Sequence, residues 1–112
     1  MTDCFFFYGI ILLGDSMKVI TVCGSMKFKD EMVKVAHEYA LKGNCVLFPL
    51  MELGKEKISE KEINYLKEAH FKRIELSDLI IVVNKDNYIG DSTKAEIDFA
   101  VELGKEVIYY YE

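Results

Sequence analysis

The stretch DLIIVVN, Asp78 to Asn84, decides how this chain is read. Leu79 to Val83 are unbroken branched aliphatics between polar ends, with none of the alternation of a strand that has one wet face. A strand of this kind is covered on both sides, which places it at the centre of a parallel sheet. The segments around it agree. Upstream, KVITVCG (Lys18–Gly24) reads as a second Val/Ile-rich strand stopped by glycine, and CVLFP (Cys45–Pro49) as a third, ended by the single proline. Downstream, EVIYYY (Glu106–Tyr111) closes the chain as a fourth.

Helical periods fill the gaps. Lys29 to Lys42 places Met32, Val33, Ala36, Tyr39 and Ala40 on one face, with Gly43 and Asn44 as the stop. Ser59 and Glu62 fit a capping box for a helix running to Leu76, with Ile63, Leu66, Ala69 or His70, and Ile74 facing inward. A third helix is expected from Thr93 to Leu103, burying Ile97, Ala100, Val101 and Gly104. Strands alternating with helices, without a hairpin signal, imply right-handed βαβ crossovers. The expected architecture is therefore a small doubly wound α/β domain, flavodoxin-like or Rossmann-like, with about four parallel strands in the order 2-1-3-4 and helices on both faces.

Composition limits the functions open to it. The 112 residues suit one domain, and 51% hydrophobic with 29% charged residues is the balance of a globular protein. A net charge of -5 argues against nucleic acid, whose phosphates need clustered Lys and Arg. The apolar run from Cys4 to Leu13 is too short to span a membrane and lacks the features of a signal peptide. Residues 1–16 therefore read as a docking arm or extra strand, or as sequence upstream of an alternative start at Met17, with the domain proper at 17–112. Cys4, Cys23 and Cys45 form no C-x-x-C pair, so the sequence announces no disulfide framework and no metal site. Buried reduced thiols, a cytoplasmic setting, no cofactor, a small-molecule partner and self-association into a homo-oligomer are the expectations.

Ligands of open α/β sheets bind beyond the carboxyl ends of the strands, where strand order reverses. Two loops should meet there: CGSMKFKD, with Gly24 and Ser25, and NKDNYIGDST, with Asp86, Tyr88, Gly90, Asp91, Ser92 and Thr93. The glycines permit close backbone approach, the serines offer hydroxyls, and Tyr88 is placed to stack on a ring or to anchor its loop. Neither nucleotide-binding glycine fingerprint occurs. Glu96 has two readings. Thr93-x-x-Glu96 fits a capping box, yet a carboxylate at that helix start also points toward the ligand end of the sheet. His70, by its helical position, is expected to face away from the strand ends. The three tyrosines at 109–111 should alternate faces, leaving at least one exposed or at an interface.

ITVCGSMKF, HFKRIELSDLIIVVN and NYIGDSTKAEIDFAVELGKEVIYY resemble the nucleoside 2-deoxyribosyltransferase superfamily, in particular its small bacterial and phage members. The likeness runs from Met17 to the C-terminus and is most specific in the last stretch, which is similar to the family pattern D-x-G-T-x-x-E-x-x-x-A. The resemblance implies a glutamate nucleophile at Glu96, with Thr93 and Ala100 at the pattern's threonine and alanine. Gly90 stands where the family has its acidic residue, and Ser92 where it has glycine, so Asp91 becomes the candidate acid or sugar ligand, with Asp86 as substitute. The implied activity is cleavage or transfer of the N-glycosidic bond of a deoxynucleoside or its monophosphate. A phosphoribohydrolase-like enzyme and a non-catalytic nucleotide-binding or sensing module are the alternatives.

Overall fold

The computed structural model describes residues 17–50 and 57–111. The readings made of residues 1–16, and most of the expected loop at Leu50–Ile58, lie outside the described residues. Four strands, β1 (Val19–Gly24), β2 (Cys45–Leu47), β3 (Leu79–Val83) and β4 (Glu106–Tyr109), form one sheet. Every pairing is parallel and the order is β2-β1-β3-β4, the expected 2-1-3-4. Ile20 to Gly24 run in register with Leu79 to Val83, so β1 and β3 share the centre. The helices are α1 (Lys29–Leu41), α2 (Glu60–Leu76) and α3 (Asp91–Glu102). Among the described residues, no helix is long and apolar enough to cross a membrane.

The period-2 alternation of the two central strands creates two unlike layers. Ile20, Val22, Leu79, Ile81 and Val83 point to one face, where Met32 and Val35 of α1 complete a buried cluster. Cys23, Ile80 and Val82 point to the other, where Ile74 of α2 and Ala100 of α3 cover them. One helix thus serves one face and two helices serve the other, as right-handed crossovers around β1 and β3 require.

Several local expectations need correction. α3 begins at Asp91 with Gly90 as its N-cap, so Thr93 is the third helical residue and lies buried, and Glu96 stands in the second turn. Lys94 N–H already donates to Gly90 C=O at 2.9 Å, closing the first turn before Thr93 could cap it. The Thr93/Glu96 capping box does not form. Ile97 and Ala100 face inward on α3 as expected, joined by Thr93, but Val101 is 61% exposed, and Gly104 is the left-handed residue after the helix, at φ 75°. On α1 Met32, Ala36 and Tyr39 face the core as expected, joined by Val35, while Val33 and Ala40 are exposed. The box on α2 does form, Ser59 Oγ accepting from Glu62 N–H and Glu62 Oε1 from Ser59 N–H. Cys23 is buried as expected, but Cys45 is exposed.

Beyond β4, Tyr109 is exposed while Tyr110 and Tyr111 turn back against the α1 layer. Their hydroxyls donate to Glu38 Oε1 at 2.7 Å and Glu31 Oε2 at 3.1 Å, and the Asn84 side chain brackets the backbone of Tyr111 with two bonds.

Candidate functional site

The site grows from a match of two periodicities. Along β1, one step on the same face is two residues, about 6.6 Å, and along α2 one turn is about 5.4 Å. Thr21 Oγ1 donates to the Arg73 carbonyl at 3.1 Å and also meets the Ser77 hydroxyl. The next inward strand residue is Cys23, and the next inward residues up the helix are Ile74 and then His70. Cys23 Sγ accordingly lies 3.6 Å from His70 Nε2. α2 is also long: its 17 residues span about 25 Å, against about 20 Å for the six of β1, so its upper turns overhang the sheet. The expectation that His70 faces away from the strand ends is overturned. It is 6% exposed and level with the last turn of β1.

Glu96 reaches the same point from α3. Its Oε1 is 3.6 Å from His70 Nε2, and the thiol, imidazole and carboxylate donor atoms all lie within 4.8 Å of one another. Glu96 Oε1 is buried and has no hydrogen-bond partner among the described residues. Burial pushes the carboxyl up to about 7, with a small opposite pull from the Cys23 thiol. Burial, and then the Arg73 guanidinium, bring His70 down to about 4. Burial, and then the Glu96 charge, hold the Cys23 thiol well above its ordinary value. His70 and Glu96 are therefore not an ion pair despite their distance, because between these values both are neutral. Arg73 Nη1, a donor only, faces His70 Nδ1 at 3.4 Å, which assigns the ring proton to Nε2 and aims it at Cys23 and Glu96.

Above this triad opens a cleft of about 440 Å³. Gly24, His70 and Glu96 form its inner end, Met26, Leu50, Ile58, Ile63 and Leu66 supply apolar lining, and Lys29 and Lys67 supply positive charge. Gly24 is constrained on the opposite side, where a Cβ would come within 3.2 Å of Met32 Sδ and of the Val83 carbonyl oxygen. The close approach that glycine permits here is helix to strand.

The other expected site residues are placed less centrally. Ser25 caps the short 3-10 turn Met26–Phe28, accepting from Lys27 N–H at 3.4 Å. Asp86 is exposed and left-handed, at φ 56°. Tyr88 is 43% exposed, with Lys27 Nζ 3.6 Å from its ring centroid and Phe28 edge-on, so a cation already covers its face. Asp91 and Ser92 are exposed in the first turn of α3. Asp91 is five residues before Glu96, about 140° around the helix, and does not line the cleft. Of the residues expected in the site, Gly24 and Glu96 line the cleft; Cys23 was read as a buried thiol and His70 as a residue facing away from the strand ends. The signals that could have found them are the inward parity of Cys23 with Thr21 and the four-residue step from His70 to Ile74.

Fold and cleft together define an open α/β protein with a buried thiol–imidazole–carboxylate cluster at the carboxyl end of its first strand. Compared with known proteins, the chain matches no family model and no curated protein. It is similar in structure to a conserved protein from Enterococcus faecalis V583, with a TM-score of 0.59 and 17% sequence identity. The match covers 84% of this chain and 63% of that one, so this chain spans a little under two thirds of its neighbour. At that identity the likeness shows the fold alone.

Proposed function

We propose that this chain cleaves or transfers the N-glycosidic bond of a deoxynucleoside or its 5′-monophosphate, with Glu96 as nucleophile. The observation that carries the reading is Glu96: its Oε1 is buried at the end of a cleft with no hydrogen-bond partner among the described residues, and the side chain does not cap its helix. Burying an unpaired carboxyl costs stability, and neither packing nor capping accounts for it here.

The ionised carboxylate attacks C1′ as the C1′–N bond breaks, the bond electrons leave with the base, and a glycosyl ester forms on Glu96. Water or a second base then opens the ester. A carboxyl near 7 is about half ionised at neutral pH and more basic than an exposed glutamate, which suits covalent attack. His70 Nε2–H steadies the carboxylate that the second step regenerates. The apolar lining accepts a base, and Lys29 and Lys67 favour an anionic or hydroxyl-rich sugar portion. Asp91, exposed and outside the cleft lining, is not assigned the acid role in this reading.

The test is incubation of wild type and Glu96→Gln with a panel of deoxynucleosides and their monophosphates, with and without acceptor bases, reading free base by chromatography. Release by wild type and not by the variant supports the reading. No release from any member, with both proteins folded, replaces it with the nucleotide-binding module.

A further inference from the structure

We propose that Cys23, His70 and Glu96 form a zinc site, with three protein ligands and a fourth position open to the cleft. The proposal stands on the geometry of the cluster and is independent of the glycosidic reading. The two share Glu96, so a bound ion would occupy the carboxylate and silence its attack.

The first support is distance. Zinc bonds of about 2.3 Å to sulfur and about 2.0–2.1 Å to nitrogen and oxygen, at tetrahedral angles, hold S and N about 3.6 Å apart and N and O about 3.4 Å apart. Cys23 Sγ to His70 Nε2 is 3.6 Å, and His70 Nε2 to Glu96 Oε1 is 3.6 Å. Two of the three edges thus already have coordination length, and the third, between thiol and carboxylate, lies within 4.8 Å and would close to about 3.6 Å around a shared ion. The second support is the buried Glu96 Oε1, which has no hydrogen-bond partner among the described residues, and a cation among these atoms would satisfy it.

The donor set selects the metal. One thiolate, one imidazole and one carboxylate suit a borderline-soft ion, whereas magnesium and calcium prefer oxygen alone. Three protein ligands with an open position match catalytic rather than structural zinc sites, and the lining of the cleft by His70 and Glu96 gives that position access. Binding displaces the Cys23 thiol proton and moves the ring proton of His70 to Nδ1, so the half-buried Arg73 guanidinium must swing away from that nitrogen. No spacing motif announces the site, because its ligands are 47 and 26 residues apart and come from a strand and two helices.

Cobalt is the probe, because tetrahedral Co²⁺ bound to thiolate shows a near-ultraviolet sulfur-to-metal charge-transfer band and intense visible bands. The full chain carrying Cys4→Ser and Cys45→Ser, which leaves Cys23 as its one thiol, is stripped with chelator and titrated. One equivalent of Co²⁺ producing both features, and its displacement by Zn²⁺, is the expected result. Saturation without the charge-transfer band overturns the proposal. Glu96→Gln in the same background should keep the band and weaken affinity at least about tenfold; unchanged affinity removes Glu96 from the ligand set and overturns the site as assigned. Should the serine substitutions impair folding, X-ray absorption of the zinc-loaded wild type reads the same point: one sulfur at about 2.3 Å with nitrogen or oxygen neighbours is expected, and no sulfur or several overturns it. Base release measured in chelator separates the two ideas. Release without a cobalt signature sinks only the zinc site, and a cobalt signature without release sinks only the glycosidic reading.

Discussion

The two faces of this sheet are built from the same two strands and have opposite characters. Against α1 lie Ile20, Val22, Met32, Val35, Leu79, Ile81 and Val83, all apolar. Against α2 and α3 the same strands present Thr21 and Cys23, and the helices add His70, Ser77, Thr93 and Glu96. The lower part of this second face is hydrogen-bonded, with Thr21, Ser77 and the Arg73 carbonyl satisfying one another. In its upper part Cys23 Sγ and Arg73 Nη1 meet the two His70 nitrogens at 3.6 and 3.4 Å, and Glu96 Oε1 has no hydrogen-bond partner among the described residues. Both layers bury an apolar cluster, and the second, around Cys23, Ile74, Ile80, Val82 and Ala100, also carries the polar groups at the strand ends. Stability and activity should therefore be separable by choosing the face.

The largest effect should come from the chemical face. Glu96→Gln is expected to lower base release by at least about a thousandfold, since it removes the attacking carboxylate while keeping its shape. A variant as active as wild type would break the contrast outright. On the dry face, Ile81→Ala should cost about 2–5 kcal/mol in denaturant unfolding, because a fully buried central side chain leaves a cavity that α1 cannot fill. A loss below about 1 kcal/mol would mean that this layer is not the main support.

The third prediction uses pH. His70, brought down to about 4, contributes stability that is present above its ordinary value of 6.5 and is lost as pH falls toward 4. Glu96, pushed up to about 7, contributes stability that is present below its ordinary 4.5 and is lost as pH rises through 7. Between about pH 4.5 and 6.5 the two slopes oppose and largely cancel in the wild type. Glu96→Gln removes one, so relative to wild type its stability should climb across that window; His70→Gln should make it fall. Each excursion is about 3 kcal/mol at full extent. Parallel pH–stability curves for all three proteins would show that the pair is not titrating as described.

The smallest effect contrasts two helix starts over the chemical face. Ser59→Ala should destabilise by about 1 kcal/mol through loss of the box on α2. Thr93→Ser, which a capping role would tolerate, should instead cost about 1 kcal/mol through the lost methyl, since Thr93 is buried inside α3.

How far the sequence could be read follows from the range of each interaction. The strands were legible because Leu79–Val83 and Val19–Cys23 carry their burial in composition, and parallel order follows from alternation with helices. The box at Ser59 was legible because it is complete within four residues. Thr93-x-x-Glu96 carries the same letters and misleads, because Gly90 starts the helix earlier and the pattern cannot report its own phase. Ile97 and Ala100 do face inward as the period predicts, Val101 does not, and of the two readings of Glu96 the capping one is removed by the earlier helix start. His70 was hidden for another reason. Whether it reaches Cys23 depends on how far α2 overhangs β1, a tertiary quantity that no window around residue 70 contains.

The buried carboxyl also makes this chain selectively addressable by reagents. Diazo compounds esterify carboxyl groups in their protonated form, and at pH 6 to 7 exposed aspartates and glutamates are almost wholly ionised. Glu96, held near 7 at the inner end of an accessible cleft, is still protonated in half or more of the molecules over that range. Among the described residues it is the carboxyl that burial raises in this way, which offers a route to a covalent label whose position reports occupancy of the cleft.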